Sequence, residues 1–313
     1  MVKKNKNNSN STNSPRPFLK WAGGKTQLLD EIRKKLPKDL NKNYKYFEPF
    51  VGGGAVFFSL MGEFKFEYAY LGDVNKDLIL TYNVIKRKPG RLISLLGNYK
   101  RLFDSKKVDN KLFFYRTREL FNENCEDFDP LEISSKNISR AAQMIFLNKT
   151  CFNGLYRVNK ENKFNVPFAN PKNPLICDVD NIYAVSKALK NVDLFVGDFS
   201  KCEYKLDEHS FIYLDPPYKP INGKKSFEGY TKSEFDDDEQ KRLSEFCHHI
   251  SKKNIGAKFL LSNSKPDEVY FKKLYPKCHR DLVSAIRAIN SNGAKRGAVD
   301  ELLIYNYADV MKK

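Results

Sequence analysis

Metal-ligating patterns are missing from this sequence. The six cysteines (Cys125, Cys151, Cys177, Cys202, Cys247 and Cys278) include no CxxC pair, and the four histidines (His209, His248, His249 and His279) include no HExxH spacing. A zinc knuckle or a zincin-type site is therefore excluded locally, and no metal is expected. Thiols scattered in this way suit a reducing compartment and core packing. Long apolar runs are missing too: nothing approaches the ~18 residues of a membrane span. Residues 1–16 (MVKKNKNNSNSTNSPR) hold no apolar segment of the kind a secretory signal needs. A soluble, cytoplasmic protein is expected. Acidic residues are in deficit, with 38 Asp and Glu against 55 Lys and Arg and a formal charge of +17. That field suits a polyanionic partner, although charge alone leaves nucleic acid, an anionic membrane and compositional bias open.

What is present is material for a core. Hydrophobic residues make up 41% of the 313, with 24 Phe and 17 Tyr, far from the composition of a disordered chain. Only the Asn/Ser/Lys-rich stretch 1–16 reads as a disordered basic tail, with ordered structure from Pro17. Tyr44 to Val51 reads as a strand that runs into Gly52-Gly53-Gly54, and Ala55 to Met61 as a helix. Phe66 to Leu71 reads as a second strand ending at Gly72-Asp73, followed by a helix over Asp77 to Lys86. Two such units in series predict an α/β sheet. Residues 87–149 read as helical. Gly154 to Asn159 and Lys163 to Phe168 flank Lys160-Glu161-Asn162 in the pattern of a β-hairpin. Strand signals resume at Asp193 to Val196, Phe211 to Leu214, Lys258 to Leu261 and Leu302 to Tyr307. The expected organisation is a Rossmann-like α/β domain formed by 17–86 and 181–313. Between its halves, 87–180 forms an inserted helical lobe that carries the hairpin 154–168.

Three segments carry chemistry. Glu48-Pro49-Phe50-Val51-Gly52-Gly53-Gly54 places glycines at the carboxyl end of a strand, where a ligand can approach the backbone closely. It does not complete GxGxxG, and a tight structural turn would look the same. Asp73 stands about 20 residues after Gly54, roughly the offset at which an acid meets a ribose hydroxyl in nucleoside-binding α/β folds. Gly24-Lys25-Thr26 invites a P-loop reading, but the first required glycine is Leu19 and no strand precedes it. The most informative segment is Asp215-Pro216-Pro217-Tyr218, delivered by the apolar strand FIYL to the carboxyl edge of the sheet. An adenine N6 amine is a weak nucleophile, because its lone pair is delocalised into the ring. The Asp215 carboxylate can accept one N–H and the Pro216 carbonyl the other, which aims the lone pair at a methyl donor while Tyr218 offers a face for stacking. No histidine base is needed, since a sulfonium methyl is already activated.

These residues together resemble the Dam family of DNA adenine N6-methyltransferases. The resemblance rests on PFLKWAGGKTQLL (17–29), FEPFVGGGAVF (47–57), GDVN (72–75), AAQMIFLNKTCFNGLYRVN (141–159) with KFNVPF (163–168), GDF (197–199), DPPY (215–218) and INSNGAKRGAVDELL (289–303). It implies S-adenosylmethionine as cofactor, double-stranded DNA as partner and adenine flipped out of the duplex as the reacting base. It further implies that Trp21, Lys25, Glu48, Phe50, Gly52, Gly54, Asp73, Asp198, Phe199 and Asp215 hold the cofactor. Asp215, Pro216 and Tyr218 would then form the catalytic set. On the hairpin, Leu155, Arg157, Asn159 and Pro167 match DNA-contacting positions, and Arg157 has the chemistry to read guanine O6 and N7. Members with this hairpin commonly read GATC. Where some carry an aromatic residue just after the hairpin, this chain has Asn170-Pro171, a departure at the outer part of the site. An RNA adenine methyltransferase would share Asp215 but not need the hairpin, and a silent DNA-binding module would not need an intact Asp215 and Asp73.

Overall fold

The computed structural model describes residues 14–105, 107–123, 128–218, 235–264, 268–286 and 298–311. Most of the low-complexity tail, Cys125 and the stretch 289–297 of the family resemblance lie outside the described residues. Arg16 is already anchored: its backbone N–H donates to Asn181 Oδ1 (3.0 Å) and its guanidinium pairs with Asp178 (2.6 Å).

Seven strands, β1 (Lys45–Glu48), β2 (Tyr68–Asp73), β3 (Val192–Val196), β4 (Ser210–Leu214), β5 (Lys258–Ser264), β6 (His279–Ile286) and β7 (Ala298–Tyr305), form one sheet in the order β3-β2-β1-β4-β5-β7-β6. Strands β1 to β5 are parallel, and β7 runs antiparallel between β5 and β6. The expected Rossmann-like sheet is present. Both faces are covered, so the central strands read as continuous apolar runs; all five residues of β4, SFIYL, are buried. Alternate side chains part to the two faces. Tyr46, Leu71, Phe211, Tyr213 and Leu303 join the larger core cluster, and Phe47, Tyr70, Ile212, Leu214 and Leu302 the smaller one.

The larger cluster lies under α1 (Leu29–Lys34), α2 (Ala55–Phe64), α3 (Lys76–Arg87), α4 (Pro89–Asp104), α5 (Asn110–Glu123), α6 (Ser135–Thr150) and α7 (Val179–Ala188). The smaller lies under α8 (Asp237–Ile250) and α9 (Glu268–Leu274). Local chemistry sets several of the helix starts. Asn75 caps α3 by accepting from Leu78 N–H (2.9 Å), Pro89 opens α4 at a position where a missing N–H does not matter, and Asp236 caps α8 ahead of three acids in its first turn. Helices α4 to α6, within the stretch 87–180, share the larger hydrophobic cluster with α2, α3 and the sheet. The fold has one feature that matters most for function. Strand order reverses between β1 and β4, so their carboxyl ends flank the crevice where open α/β sheets bind ligands.

The expected hairpin differs in form. The chain does return on itself, but neither arm is a continuous strand: Cys151 with Phe168 and Val158 with Phe164 are isolated antiparallel bridges. A single 3-10 turn, Phe152–Gly154, with Asn153 at φ 55° and Gly154 at φ 64°, kinks the entry, and Pro167 has no N–H to give a ladder. Backbone bonds from Phe152 to Pro167 (2.9 Å), Asn165 to Arg157 (3.0 Å) and Asn159 to Lys163 (2.9 Å) hold the return instead.

Candidate active site and DNA-facing loop

The Gly-rich turn leaves β1 at Glu48 and crosses towards β2. Val51 N–H donates to Gly72 O (2.9 Å), and Gly52 N–H to Asp73 Oδ2 (3.1 Å). Gly54 needs its hydrogen side chain on two counts: its φ is +72°, and a Cβ would stand 2.5 Å from the Tyr82 hydroxyl. A Cβ on Gly52 would stand 2.8 Å from the Trp21 indole, so the turn lies directly against that ring. Asp73 ends β2 half-buried, with its other oxygen accepting Asn75 N–H (2.9 Å). Burial outweighs these two hydrogen bonds and pushes its carboxyl up to about 6. Each oxygen keeps lone-pair capacity for a further donor.

Glu48 sits beneath the turn, 2% exposed, accepting from the Tyr46 hydroxyl at 2.6 Å. Burial first, then the Asp215 charge, raises its carboxyl to about 8 against the lowering effect of Tyr46. Phe50 projects towards Phe199 (5.6 Å between ring centroids) and Phe235 (5.8 Å). Asp198, past the end of β3, accepts from Ser200 and holds both Arg242 nitrogens (2.9 and 2.6 Å). The Arg242 hydrogen bonds are the main reason its carboxyl is held down at about 2. The Arg242 guanidinium also lies 4.3 Å from the Phe199 ring centroid.

Asp215 leaves the end of β4, across the crevice from the Gly-rich turn. Its carboxylate receives the Lys25 ammonium at 2.8 Å, and the same ammonium donates to Gly23 O and lies 4.6 Å from the Tyr218 ring centroid. Lys25 is only 4% exposed, so this ion pair is shielded from solvent at its basic end. Pro216 is buried, and the Pro217 carbonyl accepts from Gln240 Nε2 (3.3 Å), which fixes the backbone of the motif. The Tyr218 hydroxyl donates to Glu301 Oε2, and Ser262 donates to the same oxygen (3.2 Å).

The structure thus brings Trp21, Lys25, Glu48, Gly52, Gly54, Asp73 and Asp215 around one crevice, with Phe50, Asp198 and Phe199 on its β3 side. Leu155, Arg157, Asn159 and Pro167 are on the irregular loop, whose entry is tied to the Lys20 backbone through Asn148. Leu155 and Arg157 are half-buried, while Tyr156 between them is buried at 7% exposure. Arg157 Nε donates to Asn165 Oδ1 at 2.7 Å, and Asn159 Oδ1 accepts from Glu161 and Lys163 N–H to close the tip.

Sequence reasoning missed four participants. Glu301 on β7 anchors Tyr218; an acid within an apolar strand run was the available signal. Asn148 on α6 accepts from Lys20 N–H and donates to Lys20 O and Gly154 O, tying the loop's entry to the segment that carries Trp21 and Lys25. Asp77 and Arg140 form a buried pair (2.5 Å) beneath Tyr156, legible only as a charged residue on an otherwise apolar helix face. Among the described residues, no group of three or more His, Cys, Asp or Glu could hold a metal ion, and no helix is long and apolar enough to cross a membrane.

Comparison with known proteins bears directly on this geometry. The model of the D12 class N6 adenine-specific DNA methyltransferase family matches residues 21–289. The chain is 48% identical to the type II methyltransferase M.MjaIII of Methanocaldococcus jannaschii, over 93% of this chain and 99% of that one. It is 35% identical to the type II methyltransferase M1.LlaDCHI of Lactococcus lactis subsp. cremoris, over 94% and 96%. It is 32% identical to the DNA adenine methylase of Escherichia coli K12, over 92% and 94%.

Proposed function

The chain belongs to the D12 class of N6 adenine-specific DNA methyltransferases, and from that premise we propose that it takes its methyl group from S-adenosylmethionine and delivers it to an adenine flipped out of duplex DNA, within GATC. The observation that carries the reading is the placing of Asp215 at the end of β4 beside the end of β1, where the Gly52–Gly54 turn is bonded to Asp73.

The crevice fits the cofactor chemically. Asp73 keeps acceptor capacity for ribose hydroxyls, Gly52 lets the turn pack directly on the Trp21 ring, and Asp73 and Asp215 supply negative charge suited to a sulfonium. The cofactor when bound supplies an activated methyl group. The chain's own residues do the rest. Asp215 accepts an N6–H of adenine and turns the nitrogen lone pair towards the methyl, the Pro216 carbonyl takes the other N–H, and the Tyr218 ring stacks on the base. Once N6 carries the methyl in place of its free lone pair it is strongly acidic and loses one proton to water. Glu301 and Ser262 hold the Tyr218 hydroxyl and so fix the plane of that ring. The Lys25 ammonium pairs with the Asp215 carboxylate at 2.8 Å and holds it in place. Phe50, Asp198 and Phe199 line the end assigned to the cofactor's adenine.

A base inside the stack cannot reach Asp215 at the floor of this crevice, which is why a flipped adenine is required. Leu155, Arg157, Asn159 and Pro167 meet the duplex from the loop 154–168 in the lobe 87–180, and the +17 charge favours the DNA electrostatically. Sequencing methylated DNA at base resolution, from cells expressing the chain, tests the reading. N6-methyladenine confined to GATC is expected, and methylation in a different sequence would overturn the site assignment.

A further inference from the structure

Tyr156 lies between the two parts of this enzyme and touches both. Its neighbours in sequence, Leu155 and Arg157, are half-buried, whereas Tyr156 is buried. Its ring stacks on Trp21 (5.6 Å, 28°), the indole that lies against Gly52, and packs on Phe164 of the returning arm (5.8 Å). Its hydroxyl donates to Asp77 Oδ2 at 2.9 Å. Asp77 is in the first turn of α3, two residues beyond Asn75, which caps that helix and donates its N–H to Asp73. Arg140 grips both Asp77 oxygens and the Phe121 carbonyl (2.7 Å), with its guanidinium between the Phe121 and Phe128 rings. The far end of the linkage is thus immobilised, whereas the loop is held by isolated bridges and a few hydrogen bonds.

We propose that Tyr156 is a positioning residue that couples base reading on the loop to cofactor binding in the crevice. The inference rests on the reading of 154–168 as the DNA-contacting loop. Movement of Leu155 and Arg157 onto base edges must carry Tyr156 with them, because the three are consecutive. Tyr156 cannot shift without moving its stack on Trp21 and its bond to the α3 amino terminus, the two elements that form the cofactor side. Two ligands that favour one arrangement of a shared element enhance each other's binding, and the enhancement is reciprocal.

The test uses Tyr156→Phe, which keeps the ring and its stack but removes the hydroxyl bond, leaving Asp77 still paired with Arg140. Binding of S-adenosylhomocysteine is measured by calorimetry on the whole enzyme, alone, with a duplex carrying the sequence mapped by methylation sequencing, and with that duplex altered at one base pair. In the wild-type enzyme the cognate duplex tightens binding by about tenfold, within the usual 5–150-fold span of such couplings, and the altered duplex does not. In Tyr156→Phe the affinity without DNA stays within about twofold of wild type and the enhancement by cognate DNA disappears. A purely structural role would lower the affinity without DNA, or the thermal stability, and keep the enhancement. An enhancement retained in Tyr156→Phe, or absent from the wild type, overturns the proposal. Arg157→Ala separates the two claims. If it leaves discrimination between duplexes intact while Tyr156→Phe abolishes the enhancement, the base-reading assignment falls and the coupling stands.

Discussion

The crevice and the loop of this methyltransferase are built to opposite specifications. The crevice carboxylates stand at the ends of parallel strands buried on both faces, and each is fixed by named partners: Asp73 by the Gly52 and Asn75 N–H groups, Glu48 by the Tyr46 hydroxyl, Asp215 by the Lys25 ammonium. The loop 152–168 has no ladder, and polar side chains (Asn159, Asn165, Asn148 and Asn122) supply much of what holds it. A rigid edge suits methyl transfer, where reacting atoms must be placed within a fraction of an ångström. A side-chain-braced loop suits a groove whose base edges differ from sequence to sequence. Substitutions should act accordingly: crevice changes on rate and cofactor affinity for every DNA, loop changes on which DNA is chosen.

The largest effect expected is at Asp215. Asp215→Ala should cut kcat by at least about 10²–10³-fold, the scale of losing one preorganised transition-state hydrogen-bonding group, while much of the cofactor and DNA affinity is kept. Single-turnover methyl transfer with tritiated cofactor reads it, and near-normal turnover would break the crevice side of the comparison.

A smaller effect is expected at Asp73. Asp73→Ala should weaken S-adenosylmethionine binding by about 1–3 kcal/mol through loss of charge-assisted hydrogen bonds. Calorimetry giving an unchanged affinity would remove Asp73 from the site.

The same residue sets a pH dependence. The free carboxyl is raised to about 6 by burial, and only its ionised form can accept two hydroxyl donors. Cofactor affinity should therefore be full above pH 7 and fall as pH drops through about 6, by up to about tenfold per unit. Asp73→Asn, which cannot ionise, should bind weakly at every pH with that slope gone. A slope retained in Asp73→Asn would assign it to another group. Folding stability should run the other way. The raised Asp73 and Glu48 carboxyls bind more protons folded than unfolded between about pH 4 and 8, so their contribution declines as pH rises.

How much of this was legible in the sequence follows from the same contrast. Strand β4 and the body of β2 announce themselves, because burial on both faces makes SFIYL and YAYL almost wholly apolar, and β1, KYFE, is marked by the proline and glycines that follow it. The crevice residues sit at those stops, so strand reading locates them. Strand β6 was not legible: HRDLVSAI lies at the sheet edge, where exposure of side chains such as Leu282 (47%) dilutes the apolar pattern. The loop was half legible. Alternation put Tyr156 on the face opposite Leu155 and Arg157, and it is buried between them, yet the two arms read as strands and are not. Their shape is set by positive φ at Asn153 and Gly154 and by Asn122, which bonds both Phe164 backbone groups from α5. Long-range side-chain bonds of that kind leave no periodic signature. Glu301 and Arg140 escaped for the same reason, since their partners lie 83 and 63 residues away.

The division of labour between crevice and loop is tested most directly by one matrix of kcat/KM values. Wild type, Asp215→Asn and Arg157→Ala are each measured on a GATC duplex and on duplexes substituted one base pair at a time. Asp215→Asn should lower every value by a common factor and leave the ratios between duplexes unchanged. Arg157→Ala should cost about 1–3 kcal/mol on the cognate duplex and relax discrimination at one guanine, with the other positions still read. A uniform loss in Arg157→Ala across all duplexes, or a change of base preference in Asp215→Asn, would contradict the account.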